Sequence, residues 1–139
     1  MKAIATLLLA ATTLSAAPST NVKWETSLQA AQARAKAEHK VIFMDVWAGW
    51  CGWCLKLQKD TFPSQAAEAA LAKVVPLTIK TQEVNGSPTK DNHFERDYKV
   101  DGYPTLLILD ANGKEISRQP GYLPPQQFAS WINAHAKAD

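Results

Sequence analysis

Cysteine and histidine are scarce. The 139 residues contain two of the first, Cys51 and Cys54, and three of the second, His39, His93 and His135. A zinc site normally takes four nitrogen or sulfur ligands, and these histidines lie far from the cysteine pair with no paired spacing, so no metal centre is expected. Covalent haem attachment needs His directly after the second cysteine, and position 55 is Leu. No cofactor is expected either. An excess of one charge is also missing. Fifteen Lys and Arg against 13 Asp and Glu leave a formal net charge of +2, and no basic cluster stands out. That argues against nucleic acid as a partner. No apolar run is long enough to cross a bilayer as a mature helix, and neither an internal repeat nor a low-complexity tract is present.

The chain opens with Met1-Lys2, an apolar run from Ala3 to Leu14 broken only by threonines, and the small residues Ser15-Ala16-Ala17. This pattern is that of a secretory signal peptide over residues 1–17, with a thin basic start in which Lys2 is the only charged side chain. Pro18 is awkward for cleavage directly before it, which favours a cut after Ala16. Residues 18–139 then form one domain, long enough for a single hydrophobic core. Export places the two cysteines in an oxidising compartment, where an idle pair would stay oxidised.

The chain is organised around Trp47-Ala48-Gly49-Trp50-Cys51-Gly52-Trp53-Cys54. Two thiols separated by two residues close into a small disulfide ring with little strain if the first sits where a strand ends and a helix begins. As a structural staple such a loop would remove little entropy from the unfolded chain. A redox pair is the better reading. At a helix N-terminus, free backbone N–H groups and the positive end of the macrodipole favour an anion, so Cys51 should ionise more readily than a free thiol of pKa ~8.5. Cys51 is then the nucleophile, and Cys54, one turn on, resolves the mixed disulfide.

The remaining pattern surrounds that pair. Thr26 or Ser27 caps a helix over Leu28 to Glu38, with Trp24 before it as a packing anchor. Val41 to Trp47 reads as a strand buried on both faces, and Asp45 is its anomaly, since a carboxylate there needs a partner or a raised proton affinity. Lying on the strand that delivers the cysteines, Asp45 is a candidate for proton transfer. The helix begun at Cys51 should run to Asp60 and break at Thr61-Phe62-Pro63, with Ser64 capping a second piece to Lys73. Val74 to Ile79 is a strand in which Pro76 marks an edge, a bulge or a start. Thr81 to Asn92 is a long polar connection, placed near the site, before a short helix over Phe94 to Tyr98 capped by Asp91 or Asn92. A strand from Thr105 to Leu109, a turn at Asp110 to Lys114, a strand over Glu115 to Arg118 and a helix from Pro124 or Pro125 complete the order. A βαβ unit followed by a hairpin and a covering helix gives an α/β fold, a central mixed sheet of about four strands flanked by helices on both faces.

Taken together, Asp45-Val46-Trp47-Ala48-Gly49-Trp50-Cys51-Gly52-Trp53-Cys54, Gly102-Tyr103-Pro104-Thr105-Leu106, Gly121 and the element order resemble the thioredoxin superfamily over nearly all of residues 18–139. The resemblance implies a thioredoxin-like fold and a thiol-disulfide oxidoreductase. It implies a cis bond before Pro104, with the backbone of Tyr103 pairing with a substrate's extended chain. It implies Cys51 as the exposed nucleophile, Cys54 as the buried resolving thiol and Asp45 as the buried acid serving Cys54. It also implies that Trp47 and Trp50 are the tryptophans that frame the site. Three departures stand out: Pro76 falls roughly where prototypical thioredoxins keep a lysine facing the acid, Trp53 replaces a proline between the cysteines, and the Thr81–Asn92 connection is long. The leader, the first helix and Trp53 are similar to exported thioredoxin-like proteins related to the C-terminal domain of the transmembrane thiol:disulfide interchange reductase.

Strong oxidants of the superfamily place His between the cysteines, whereas Gly52-Trp53 supplies no charge. The Cys51 pKa is therefore expected nearer ~7 than ~3.5, which favours a reductase. The expected protein is a monomer in the periplasm. It would draw electrons from a membrane-embedded donor and reduce exported proteins that carry disulfides, through a substrate surface of Trp50, Trp53, Tyr103 and Pro104. Two alternatives stay open: a disulfide isomerase, and a non-enzymatic binding module with a fixed disulfide.

Overall fold

The computed structural model describes residues 22–137, so the expected leader over residues 1–17 and its cleavage point lie outside the described residues. Helix α1, Leu28–Glu38, starts at Ser27, whose side chain accepts from the Ala30 N–H, and ends at His39 in the left-handed region (φ 53°). Its inward positions are Ala31 and Ala35, both fully buried, and such small residues let the helix lie close against the sheet.

Strand β1, Ile42–Ala48, is central. It pairs in parallel with β2, Val75–Gln82, and antiparallel with β3, Thr105–Leu109, which in turn pairs antiparallel with β4, Glu115–Pro120. The sheet order is β2-β1-β3-β4, the mixed four-stranded sheet expected. Ile42, Met44 and Val46 pack with Ala31, Ala35 and Phe94 on one face, while Phe43 packs with Leu57, Phe62, Leu71, Phe128 and Ile132 on the other. Burial on both faces is why β1 reads as an unbroken apolar run, each fully buried large side chain contributing roughly 1.5–3 kcal/mol. Trp24 is the packing anchor expected, with ring centroids 5.1 Å from Phe62 and 6.0 Å from Phe43.

The Phe43 face is covered by three helical pieces. Helix α2, Gly52–Lys56, carries the cysteine pair; α3, Gln65–Leu71, is capped by Ser64; and α5, Pro125–His135, closes the fold. Between α2 and α3 the chain widens into a π-helical turn, Leu57–Thr61, where a plain helix was expected. Phe62 N–H bonds to Leu57 O at 2.9 Å, and Thr61 Oγ1 donates to Leu123 O at 2.8 Å, so the wide turn is tied to a distant loop just before Pro63.

Three local expectations need correction. Strand β2 runs on to Gln82 and takes the first residues of the polar connection, because Gln82 pairs with Ala48 and bridges back to Pro88. Neither Asp91 nor Asn92 caps the short helix α4, Phe94–Asp97, through its side chain. Asn92 Nδ2 is spent on Thr81 O at 3.3 Å, and Asp91 supplies only its carbonyl to the Phe94 N–H. Pro76 does sit on an edge strand, where its carbonyl accepts from Glu25 N–H at 2.8 Å, but in the register it faces Phe43. The residue opposite Asp45 is Thr78.

Candidate active site

Strand β1 ends at Ala48, and a tight turn brings Cys51 to the N-cap of α2, with Cys51 N–H bonded to Ala48 O at 3.1 Å. Cys51 Sγ accepts from the Cys54 backbone N–H at 3.1 Å, the polar contact that a thiolate at this position would use. Cys51 and Cys54 are joined as a disulfide with their Cα atoms 5.3 Å apart. The expected exposed nucleophile is a correction. In the closed pair Cys51 is only 4% exposed and Cys54 1%, because Ala48, Trp47 and Tyr103 pack around both.

The turn itself is close-packed. A Cβ on Gly49 would meet Val84 N at 2.9 Å and the Glu83 carbonyl carbon at 3.0 Å, both backbone atoms of the 83–92 connection. The connection therefore borders the site as expected, and Gly49 N–H bonds to Gln82 O at 2.9 Å. Gly49→Ala should force the two segments apart and lower stability by about 1–3 kcal/mol, read as the shift in denaturant midpoint of the oxidised protein. An unchanged midpoint would mean the connection yields freely.

Asp45 lies on the Phe43 face of β1, the face covered by the helical run that follows Cys54. It is 1% exposed, and its Oδ1 has no protein hydrogen-bond partner among the described residues. Burial alone raises its pKa from 3.8 to about 7. Thr78, opposite it on β2, accepts from Trp47 Nε1–H at 2.9 Å through its hydroxyl. Asp45 is among the residues lining a cleft of about 510 Å³, together with Trp24, Trp47, Gln58, Phe62 and Glu68.

The aromatic side chains form a collar. Trp50 is 52% exposed and meets the Tyr103 ring edge-to-face, centroids 5.8 Å apart at 86°. Trp53, 59% exposed, leans on Tyr122 with centroids 5.5 Å apart, and Lys56 Nζ lies 5.5 Å from the Tyr122 ring centre. The Tyr103–Pro104 bond is cis, Pro104 is buried, and Gly121, at φ 85°, donates its N–H to Pro104 O at 2.8 Å. Tyr103 Oη donates to Glu95 and lies 2.8 Å from Thr81 Oγ1. Burial, then the Glu95 carboxylate, pushes the Tyr103 phenol up to about 12, so it remains a donor.

Cys51, Cys54, Trp50, Tyr103 and Pro104 are thus gathered at one end of the sheet, with Trp53 on the rim, while Asp45 lies three residues before the end of β1 and lines the cleft beside Trp47. Sequence reasoning missed Gln82, Glu95, Thr78 and Tyr122. Glu95 reads in the sequence as one more surface charge on a short polar helix, and only the fold reveals what it faces. Among the described residues no helix is long and apolar enough to cross a membrane, and no cluster of potential metal ligands occurs.

The thioredoxin-like domain family matches residues 28–136. Over 99 residues, 70% of the chain, the sequence is 31% identical to the thiol:disulfide interchange protein DsbD of Actinobacillus pleuropneumoniae. Over 107 residues, 76% of the chain, it is 34% identical to the protein of that name in Pseudoalteromonas atlantica. The chain spans 16% and 17% of the length of these two relatives. Among solved structures, the reduced C-terminal domain of Neisseria meningitidis DsbD superposes with a TM-score of 0.64 at 21% identity, covering 78% of this chain and 93% of that one.

Proposed function

The chain belongs to the thioredoxin-like family of thiol:disulfide oxidoreductases, and from that premise we propose that it is an exported reductase of protein disulfides. The observation that carries the reading is the Cys51–Cys54 pair at the head of α2, bounded by Trp50 and the cis Tyr103–Pro104 bond, with uncharged Gly52-Trp53 between the sulfurs.

In the reduced protein, Cys51 as thiolate attacks one sulfur of a substrate disulfide. A Cys51–substrate bond forms, the substrate S–S bond breaks, and one substrate sulfur leaves as a thiolate that takes up a proton. Cys54 then loses its proton to the Asp45 carboxylate, directly or through water in the cleft, and attacks Cys51 Sγ. The mixed disulfide breaks, the second substrate sulfur leaves and is protonated, and the Cys51–Cys54 disulfide closes. Two electrons have passed from protein to substrate. An Asp45 pKa of about 7 suits this duty, because an acid poised near the working pH both takes and returns protons. Gln58 and Glu68 at the cleft give the proton a polar way out. The Tyr103 backbone N–H and C=O make no hydrogen bond among the described residues, so both are free to pair with an extended substrate strand.

Residues 1–17 act as the export leader and 18–139 as the working domain, placing the pair in the periplasm. An oxidising compartment does not return electrons to the pair, so a membrane-embedded dithiol donor supplies them. The substrates are exported proteins with accessible disulfides, and the protein works as a monomer.

Equilibration with glutathione tests the direction. A reductase should poise near or below about −200 mV, whereas a potential near about −120 mV, that of a strong oxidant, would rule the reductase out.

A further inference from the structure

We infer that Glu95 is a positioning residue that fixes the orientation of Trp50 and Tyr103, and so the shape of the groove in which a substrate's chain meets the cysteine pair. The inference rests on the oxidoreductase reading above and names the group that organises the same site.

Trp50 is half-exposed, and among the described residues Tyr103 is its one aromatic neighbour. Its orientation therefore depends on its single polar atom. Trp50 Nε1–H donates to Gln82 Oε1 at 2.7 Å, Gln82 Nε2–H donates to Glu95 Oε1 at 2.8 Å, and Tyr103 Oη–H donates to that same Glu95 oxygen. An indole nitrogen only donates and a carboxylate only accepts, whereas an amide does both. Gln82 therefore satisfies its two neighbours in one sense only, with its carbonyl toward Trp50 and its amino group toward Glu95. Reversing the polarity at position 95 would turn the amide round and set its N–H against the indole N–H. One carboxylate thus fixes both aromatic rings, one through Gln82 and one directly.

Glu95 is held firmly enough for this task. Phe94, its neighbour in α4, is buried against Met44, Val46 and Leu107, and so anchors the short helix to the sheet. Burial alone would raise the Glu95 carboxyl, but hydrogen bonds from Tyr103, Gln82, Thr81 and Asn92 outweigh it and hold the group below the usual carboxylate range. The acceptor is therefore charged wherever the protein works, and charge-assisted bonds of this kind are stronger than neutral ones. Glu95 touches neither sulfur, so its effect should appear in how a polypeptide is held and not in the exchange itself.

The test uses the whole chain with insulin as the disulfide substrate. Glu95→Ala should raise KM about fivefold while kcat changes less than about twofold, the mark of lost ground-state binding. Glu95→Gln, which keeps an acceptor oxygen of the same reach, should restore KM to within about twofold of wild type. Gln82→Met cuts the Trp50 arm alone, without touching α4 and with Tyr103 still bonded to Glu95, and should raise KM by about twofold to threefold, less than Glu95→Ala. As a spectroscopic readout, the Trp50 indole N–H, assigned by its loss in Trp50→Phe, should exchange with solvent about tenfold faster in Glu95→Ala and Gln82→Met than in wild type. Unchanged KM and indole exchange in both variants would overturn the inference, as would a fall in kcat with KM held. A wild-type protein that exchanges no disulfide at all would instead overturn the oxidoreductase reading itself.

Discussion

Cys51→Ser is expected to lose disulfide exchange by a factor on the order of a thousand or more, while Cys54→Ala keeps the first attack and stalls as a covalent adduct. The reason is chemical: the attacking species is a thiolate, and a serine hydroxyl at neutral pH is neither ionised nor a comparable nucleophile toward sulfur. Cys51 is also the sulfur that accepts the Cys54 N–H and sits at the turn bordered by Trp50 and Tyr103. In Cys54→Ala the mixed disulfide forms, but no second thiol stands one turn away to break it. The adduct should therefore persist until an outside thiol arrives.

The measurement is a pair of experiments on reduced protein. Turnover of a peptide disulfide is followed for Cys51→Ser, and non-reducing mass analysis of periplasmic extract for Cys54→Ala. Retention of exchange within about tenfold by Cys51→Ser would remove Cys51 from the nucleophile's role. A Cys54→Ala chain that traps nothing, alongside a Cys51→Ser chain that still binds its partner, would favour a binding module with a fixed disulfide.

How much of this was legible in the sequence follows from which forces were local. The Ser27 and Ser64 caps, the strand over Thr105–Leu109 and the closing helix from Pro125 were readable because capping chemistry and hydrophobic period act over a few residues. The anomaly of Asp45 was readable as well, since a carboxylate in a buried apolar run has to be accommodated somehow. Its partner was not. Which β2 residue faces Asp45 depends on a parallel register that no local rule fixes, and the structure places Thr78 there in place of Pro76.

The same holds for the end of β2. Thr81 and Gln82 are polar and precede a loop, and only the pairing of Gln82 with Ala48 and its bridge to Pro88 draw them into the sheet. The burial of Cys51 was misjudged for a related reason: its cover comes from Ala48, Trp47 and Tyr103, and Tyr103 lies about fifty residues away in sequence. The hydrogen bonds joining Trp50, Gln82, Glu95 and Tyr103 link four separate segments, a turn, β2, α4 and the loop before β3, and leave no periodic trace.

Asp45→Asn should stabilise the oxidised protein at pH 8 relative to wild type and lose that advantage as pH falls toward 4. The Asp45 pKa is raised from 3.8 in the unfolded chain to about 7 in the fold, with desolvation as the sole cause. Between those values the folded state holds a proton that the unfolded state has released. Unfolding then releases a proton, so rising pH favours the unfolded chain. Wild-type stability should fall as pH climbs from about 4 to about 7 and level off above, the full difference being on the order of 4 kcal/mol. The asparagine side chain carries no titrating proton, so the variant loses this slope. Because other groups titrate over the same range, the decisive quantity is the difference between variant and wild type, taken from denaturant unfolding of the oxidised forms at several pH values. A difference that stays flat from pH 4 to pH 8 would show that Asp45 does not hold a raised pKa. The same substitution should slow resolution of the mixed disulfide by about a hundredfold at neutral pH, since an amide cannot take the Cys54 proton. On the proposed mechanism, a destabilising carboxyl whose Oδ1 has no protein hydrogen bond among the described residues is kept because it takes the Cys54 proton. Stability gained and exchange lost in one variant would be the signature of that arrangement.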